Sequence, residues 1–176
     1  MRYSPLSLFA LAATSVLAVD MSLYKPNSDV DKGFANFVEQ YYLTSEDKNS
    51  VDAFLSFWPP TGRLIVADTL FEGYGEILAV KLSLLPPTGN KAWWHLIRGA
   101  SVGAETDEDK TLIADIVIQT TYHPGNCSQA YGSAAFTILK DANGELRLDP
   151  YSQSLSLYNL TVSTTESPTD IPCSVD

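Results

Sequence analysis

His95 is the residue of this sequence best suited to moving a proton. It lies in Trp93-Trp94-His95-Leu96-Ile97. Strand alternation would put the imidazole on one face with Trp93 and Ile97, leaving Trp94 and Leu96 on the other. Burial among apolar groups disfavours a charged imidazole and leaves the neutral ring ready to act as a general base. The same setting suits a histidine hydrogen-bonded inside the fold for structural reasons, and the residues alone leave both roles open.

Two carboxylates are candidates to work with it. Asp68 follows the run Leu64-Ile65-Val66-Ala67. At a pocket mouth it would orient the ring and stabilise its charged form; as an Asp after a strand it equally suits a chain reversal. Asp115 interrupts Leu112-Ile113-Ala114-Asp115-Ile116-Val117-Ile118 and shares a face with Ile113 and Val117. On a pocket wall it must find partners or take up a proton, the condition of an acid or base. On the outer face it is only a charge that discourages edge pairing.

Tyr41 and Tyr42 adjoin on a helix, so about 100° separates them and one is expected to point inward. A pocket tyrosine, assigned here to Tyr42, would donate a hydrogen bond to a substrate carbonyl. Tyr41, Trp58, Tyr74, Trp93 and Phe136 are expected as pocket wall and core. Other chemistries lack their residues. The sequence has two histidines, far apart, and no carboxylate at metal-ligand spacing, so no metal is expected. There is no phosphate-cradling glycine loop, and Gly73-Tyr74-Gly75 is too short for a dinucleotide fingerprint. No cofactor is expected.

The elements that must position these groups are legible from periodicity. Val30, Phe34, Phe37, Val38, Tyr41 and Tyr42 recur at helical spacing, with Ser28 and Asp31 suggesting a capping box. Val51, Phe54, Leu55 and Trp58 form a second short stripe, stopped by Pro59-Pro60. A brief strand at 63–67 and a return through 68–72 lead to a third helix from Gly73, ended by Pro86-Pro87. Four long strands are then expected at 93–102, 111–122, 129–140 and 145–158. Helices first and an antiparallel meander after imply an α+β fold, with helices over one face of a curved sheet.

The order of these elements resembles the nuclear-transport-factor-2-like superfamily, which includes SnoaL-like cyclases, dehydratases and isomerases. The similarity spans about residues 33–158. It is carried by the aromatic first helix ending Tyr41-Tyr42, by Val51-Asp52-Ala53-Phe54-Leu55-Ser56-Phe57-Trp58, by Gly73-Tyr74-Gly75-Glu76-Ile77, and by His95 early in the next strand. Thr61-Gly62 stand where the family usually has an aspartate, so that residue's role is not carried over. The resemblance implies a cone of three N-terminal helices packed on a strongly curved antiparallel sheet, with a hydrophobic small molecule inside. It also implies cofactor-independent isomerisation, cyclisation or dehydration of a polyketide- or terpenoid-like compound, or binding without turnover. A homodimer through the sheet face is the oligomer it allows.

Around the domain, residues 1–18 have the basic start, apolar stretch and small Ala18 of a cleavable secretion signal. The apolar run falls short of the ~20 residues that span a bilayer. Residues 19–29 read as a loose leader, 30–162 as one domain and 163–176 as a polar tail. The net charge of -10 argues against nucleic acid and anionic membranes as partners. In an exported chain Cys127 and Cys173 are most simply a disulfide tethering the tail, and Asn126-Cys127-Ser128 and Asn159-Leu160-Thr161 are glycosylation sequons.

Overall fold

A computed structural model describes residues 19–123 and 126–173; the expected signal segment, 1–18, lies outside the described residues. The helical periodicity resolves into α1 (Phe34–Glu46), whose Phe34, Phe37, Val38, Tyr41 and Tyr42 are all buried. Each turn thus sets an aromatic or aliphatic group on the sheet side. The start differs from the expected capping box: Gly33 is the N-cap with no side-chain cap. Asp31 instead accepts a hydrogen bond from Lys110 Nζ at 2.8 Å, so its carboxylate is committed to the sheet. The second stripe forms only one turn, α2 (Asp52–Leu55), before Pro59 and Pro60 prevent propagation.

Strands β2 (Arg63–Val66) and β3 (Thr69–Glu72) form a hairpin through Ala67 and Asp68, whose φ values are 49° and 60°. Positive φ at both central residues is the two-residue turn that matches strand twist. Helix α3 (Gly73–Leu84) follows; Ile77 and Lys81 are its buried positions, and Leu85, which caps its C-terminal end, is buried as well. Long strands β4 (Ala92–Glu105), β5 (Asp109–His123) and β6 (Asn126–Leu139) form the antiparallel meander, with β7 (Leu155–Val162) beside β6.

Counting the short β1 (Lys25–Pro26), the sheet order is β1-β4-β5-β6-β7-β2-β3. It is a mixed sheet, not a purely antiparallel one: β2 runs parallel to β7, and β1 parallel to β4. Chain order explains both exceptions, because a short early strand joins each flank of the later meander. Register shifts between Ile97 and Gly99 and between Val102 and Glu105 mark irregularities in the β4–β5 ladder, the kind of feature that bends and twists a strand.

Two other expectations are corrected. The leader is docked rather than loose: Asp20 N–H donates to His95 O and Asp20 O accepts from Ile97 N–H, both at 2.9 Å. The fourth long strand begins ten residues later than its alternation suggested. Tyr151 and Gln153 have positive φ, and the Gln153 and Leu155 amides donate to Ser56 O and Phe57 O just before and at the start of β7. Those bonds fasten the segment to the end of α2, so its backbone is unavailable for a longer ladder.

The inner face is read from cross-strand rows. Trp93 pairs with Thr120 and Thr120 with Ser128; His95 pairs with Ile118 and Ile118 with Ala130. Further down, Leu112 pairs with Phe136 and Phe136 with Tyr158, and these three are buried against α1. The outer face carries the tail. Gln129 Nε2 donates to Ile171 O at 3.2 Å, and the Cys127–Cys173 disulfide closes beside it with Cα atoms 5.7 Å apart. Gln119 and Thr121, opposite Gln129 and Cys127 in register, are buried there.

Candidate active site

At the open end of the cone the aromatic packing stops and a cavity of about 420 Å³ remains between α1, α3 and the inner face of the sheet. This volume is in the range of small-molecule sites. Aliphatic wall comes from Leu64, Val66, Val80, Ile118 and Leu160, and aromatic wall from Tyr41, Phe54 and Trp93.

His95 stands on this wall, 5% exposed. Its ring lies on that of Tyr42, centroids 4.2 Å apart and planes 25° from parallel, while Trp93 meets it edge-on at 6.3 Å. Nδ1 is 2.9 Å from Glu46 Oε1, and the same oxygen accepts the His95 backbone N–H at 2.9 Å. A carboxylate acceptor fixes the Nδ1–H tautomer, so the lone pair is on Nε2. No hydrogen bond engages Nε2 among the described residues.

Local folding explains why Glu46 is the acid that reaches the ring. It ends α1, one helical turn beyond Tyr42, so the two side chains share the face turned to β4. On that edge of β4 the N-terminal segment pairs with His95 O and Ile97 N–H, while Glu46 takes the His95 N–H. The negative end of the helix dipole disfavours a carboxylate there. Two hydrogen bonds from one residue hold it nonetheless. Glu46 Oε2 is buried with no partner among the described residues. Taking up a proton at Nε2 therefore sets a positive ring against a buried carboxylate that lacks other counter-charge.

Lys81 fixes the helix end that carries Glu46. Its Nζ donates to Thr44 O at 3.0 Å, Asp47 O at 2.7 Å and Ser50 O, carbonyls at and just after the end of α1. Helix ends leave such carbonyls without intrahelical partners. Nζ also sits 5.0 Å over the Phe54 ring. Desolvation lowers the Lys81 pKa from 10.5 to about 8, with the Asp47 carboxylate opposing the shift.

Deeper in, Tyr42 OH and Tyr158 OH are 3.1 Å apart and both residues are buried. Burial raises the pKa of each phenol, so both stay protonated. One hydrogen joins the pair; the other remains for an acceptor in the cavity.

Sequence reasoning placed His95, Tyr41, Tyr42 and Trp93 on the wall, and there they are. Tyr41 and Tyr42 both face inward, because α1 is covered by α2 on one side and by the sheet on the other. Asp68 is an exposed residue of the β2–β3 turn and does not meet His95. Asp115 is exposed on the outer face beside Arg98, since odd-numbered positions of β5 point away from the cavity. Trp58 and Phe136 are fully buried core rather than wall. Tyr74 lies outside the cavity and donates its hydroxyl to Trp58 O at 3.1 Å. Glu46 and Lys81 were missed. The signal for Glu46 was its position four residues after Tyr42; for Lys81 it was a lysine on the buried stripe between Ile77 and Leu85.

The fold is that of nuclear-transport-factor-2-like proteins. ActVI-ORFA from Streptomyces coelicolor matches with a TM-score of 0.55 at 13% identity, over 74% of this chain and 97% of its own. Nuclear transport factor 2 from Cryptosporidium parvum matches with a TM-score of 0.56 at 14% identity, over 78% and 97%. A hexachlorocyclohexane dehydrochlorinase, LinA type 2, matches with a TM-score of 0.55 at 13% identity, over 77% and 89%. No family model and no curated protein matches the sequence.

Proposed function

We propose that this chain is an exported, cofactor-independent enzyme that isomerises, cyclises or dehydrates an apolar, oxygenated small molecule by proton transfer at His95. The observation that supports it is the Glu46–His95 pair on the wall of a largely apolar cavity. In the reaction His95 Nε2 removes a proton from carbon next to a substrate carbonyl, and the C–H electrons move onto the carbonyl oxygen. The leftover hydrogen of the Tyr42–Tyr158 pair is donated to that oxygen as charge develops there. Glu46 keeps the imidazolium in place. The proton then returns to another carbon in an isomerisation, or to a departing hydroxyl, which leaves as water, in a dehydration.

Among proteins of this fold, one bears the name of a dehydrochlorinase, and removal of a proton is the step such an elimination shares with the reaction above. The polyketide- or terpenoid-like substrate belongs to this proposal. So do glycans on Asn126, exposed, and Asn159, half-buried, and pairing of two copies through the part of the sheet face that the tail leaves open. Mass measurement of the secreted protein before and after glycosidase, with light scattering, checks them.

The test of the reaction is hydrogen exchange. A panel of enolisable aromatic ketones in deuterated water, followed by proton NMR, should lose the α-proton signal about 100-fold faster with the natural protein than with His95→Gln. Equal rates for the two proteins, with the ketones bound, would instead make the chain a carrier of hydrophobic ligands.

A further inference from the structure

The charge of the cavity runs opposite to that of the chain. The sequence has 21 Asp and Glu against 11 Lys and Arg, yet the described lining residues include Lys81 and Lys91 and no Asp or Glu. The two lysines differ in what they have left to offer. Lys81 donates to three backbone carbonyls, which uses all of its N–H groups. Lys91 Nζ donates to one, Leu84 O, at 3.0 Å. Among the described residues, two of its three hydrogens are therefore uncommitted.

Lys91 stands where the cavity opens. Leu84, which anchors its Nζ, is 39% exposed and Val162 is 38% exposed, and both line the cavity with it. A ligand seated among the inner apolar walls would thus bring one end out beside an ammonium held in place by the last turn of α3. The ends of that ligand meet different chemistry: aliphatic and aromatic surface inside and, among the described residues, one accessible cation at the mouth, Lys91.

We propose that the cavity takes an amphipathic anion, its apolar body against Ile118 and Trp93 and its one anionic group, a carboxylate or sulfonate, on Lys91. This rests on the reading of the cavity as the ligand site. The chain's acidic surface repels anions generally, so the local reversal at Lys91 is what admits one in a defined orientation. It also sets which end of the molecule reaches His95, because the charged end stays at the mouth.

Two fluorescent probes with the same ring system separate charge from shape: neutral N-phenyl-1-naphthylamine and its 8-sulfonate. The sulfonate should bind the natural protein about tenfold more tightly at low salt, a gap that narrows as salt rises. Lys91→Met should bring the sulfonate to the affinity of the neutral probe and leave the neutral probe unchanged. Ala130→Trp, which fills the cavity, should weaken both. Equal affinities in the natural protein, a sulfonate preference that survives Lys91→Met, or sulfonate binding undiminished by Ala130→Trp would overturn the proposal while leaving the catalytic reading intact. Binding of neither probe would sink the ligand site itself, and both readings with it.

Discussion

One oxygen of Glu46 accepts two hydrogen bonds from His95, from the ring Nδ1 and from the backbone N–H, each at 2.9 Å. The ring is therefore oriented by the same contact that closes the edge of β4. Position and chemistry are coupled in a single carboxylate. Glu46→Gln retains an acceptor oxygen, so the fold should persist, but the neutral amide cannot stabilise an imidazolium. Turnover of any substrate found should fall by about 100-fold with KM little changed. Glu46→Leu should in addition destabilise the protein, because the His95 N–H loses its partner. Steady-state kinetics with circular dichroism checks both.

The tyrosine pair carries a separable effect. Tyr158→Phe leaves the Tyr42 hydroxyl without its neighbour, and Tyr42→Phe does the reverse. Each should lower stability by about 1 kcal/mol in urea titrations, the usual net worth of one hydrogen bond. Each should also reduce kcat more than binding, since the donated hydrogen matters most when charge appears on the ligand oxygen.

Lys81 gives the protein a pH signature. Its pKa is about 8 in the folded chain and 10.5 when unperturbed. Between those values the unfolded chain holds more of this proton than the folded one, so stability rises with pH across the window. Below about 8 both states are charged and the desolvation cost is fully present. Lys81→Met should lose that rise. It should also lower stability by about 3 kcal/mol, because the carbonyls of Thr44, Asp47 and Ser50 lose a shared donor. Thermal unfolding from pH 7 to 10 reads both effects.

The tail makes its own contribution. Cys127 and Cys173 are 46 residues apart, and closing a loop of that length stabilises by ~4 kcal/mol on the chain-entropy model. The Cys127→Ser, Cys173→Ser protein should lose about that much in a urea titration. Limited proteolysis should then cut within 163–173, where the undisturbed protein resists.

Much of this was legible because burial imposes a period. Phe34, Phe37, Val38, Tyr41 and Tyr42 reveal α1 from spacing alone, and the apolar runs around His95 and Asp115 reveal β4 and β5. The disulfide followed from there being two cysteines. Long-range pairing was less accessible. Nothing local says that β2 lies parallel to β7, or that Val19–Pro26 docks on β4, because those ladders form between segments far apart in sequence.

The site shows the same division. His95 declared itself through its apolar neighbours, but its acid did not. Asp68 and Asp115 were chosen for standing near apolar runs, and strand geometry turns one into a hairpin turn and the other outward. Glu46 looked like one more charge at a helix end. Only the approach of that end to the edge of β4 gives it a partner. Which carboxylate meets a ring is a tertiary fact, whereas which ring is buried is largely a local one.

The central claim is that the imidazole of His95 faces the hollow and not solid core. The protein has two histidines, so its imidazole NMR spectrum is simple, and His95→Gln identifies the signal concerned. Adding neutral N-phenyl-1-naphthylamine should shift the His95 ring resonances in proportion to occupancy. Saturated binding with the His95 signal unchanged would place the ligand elsewhere and contradict the account.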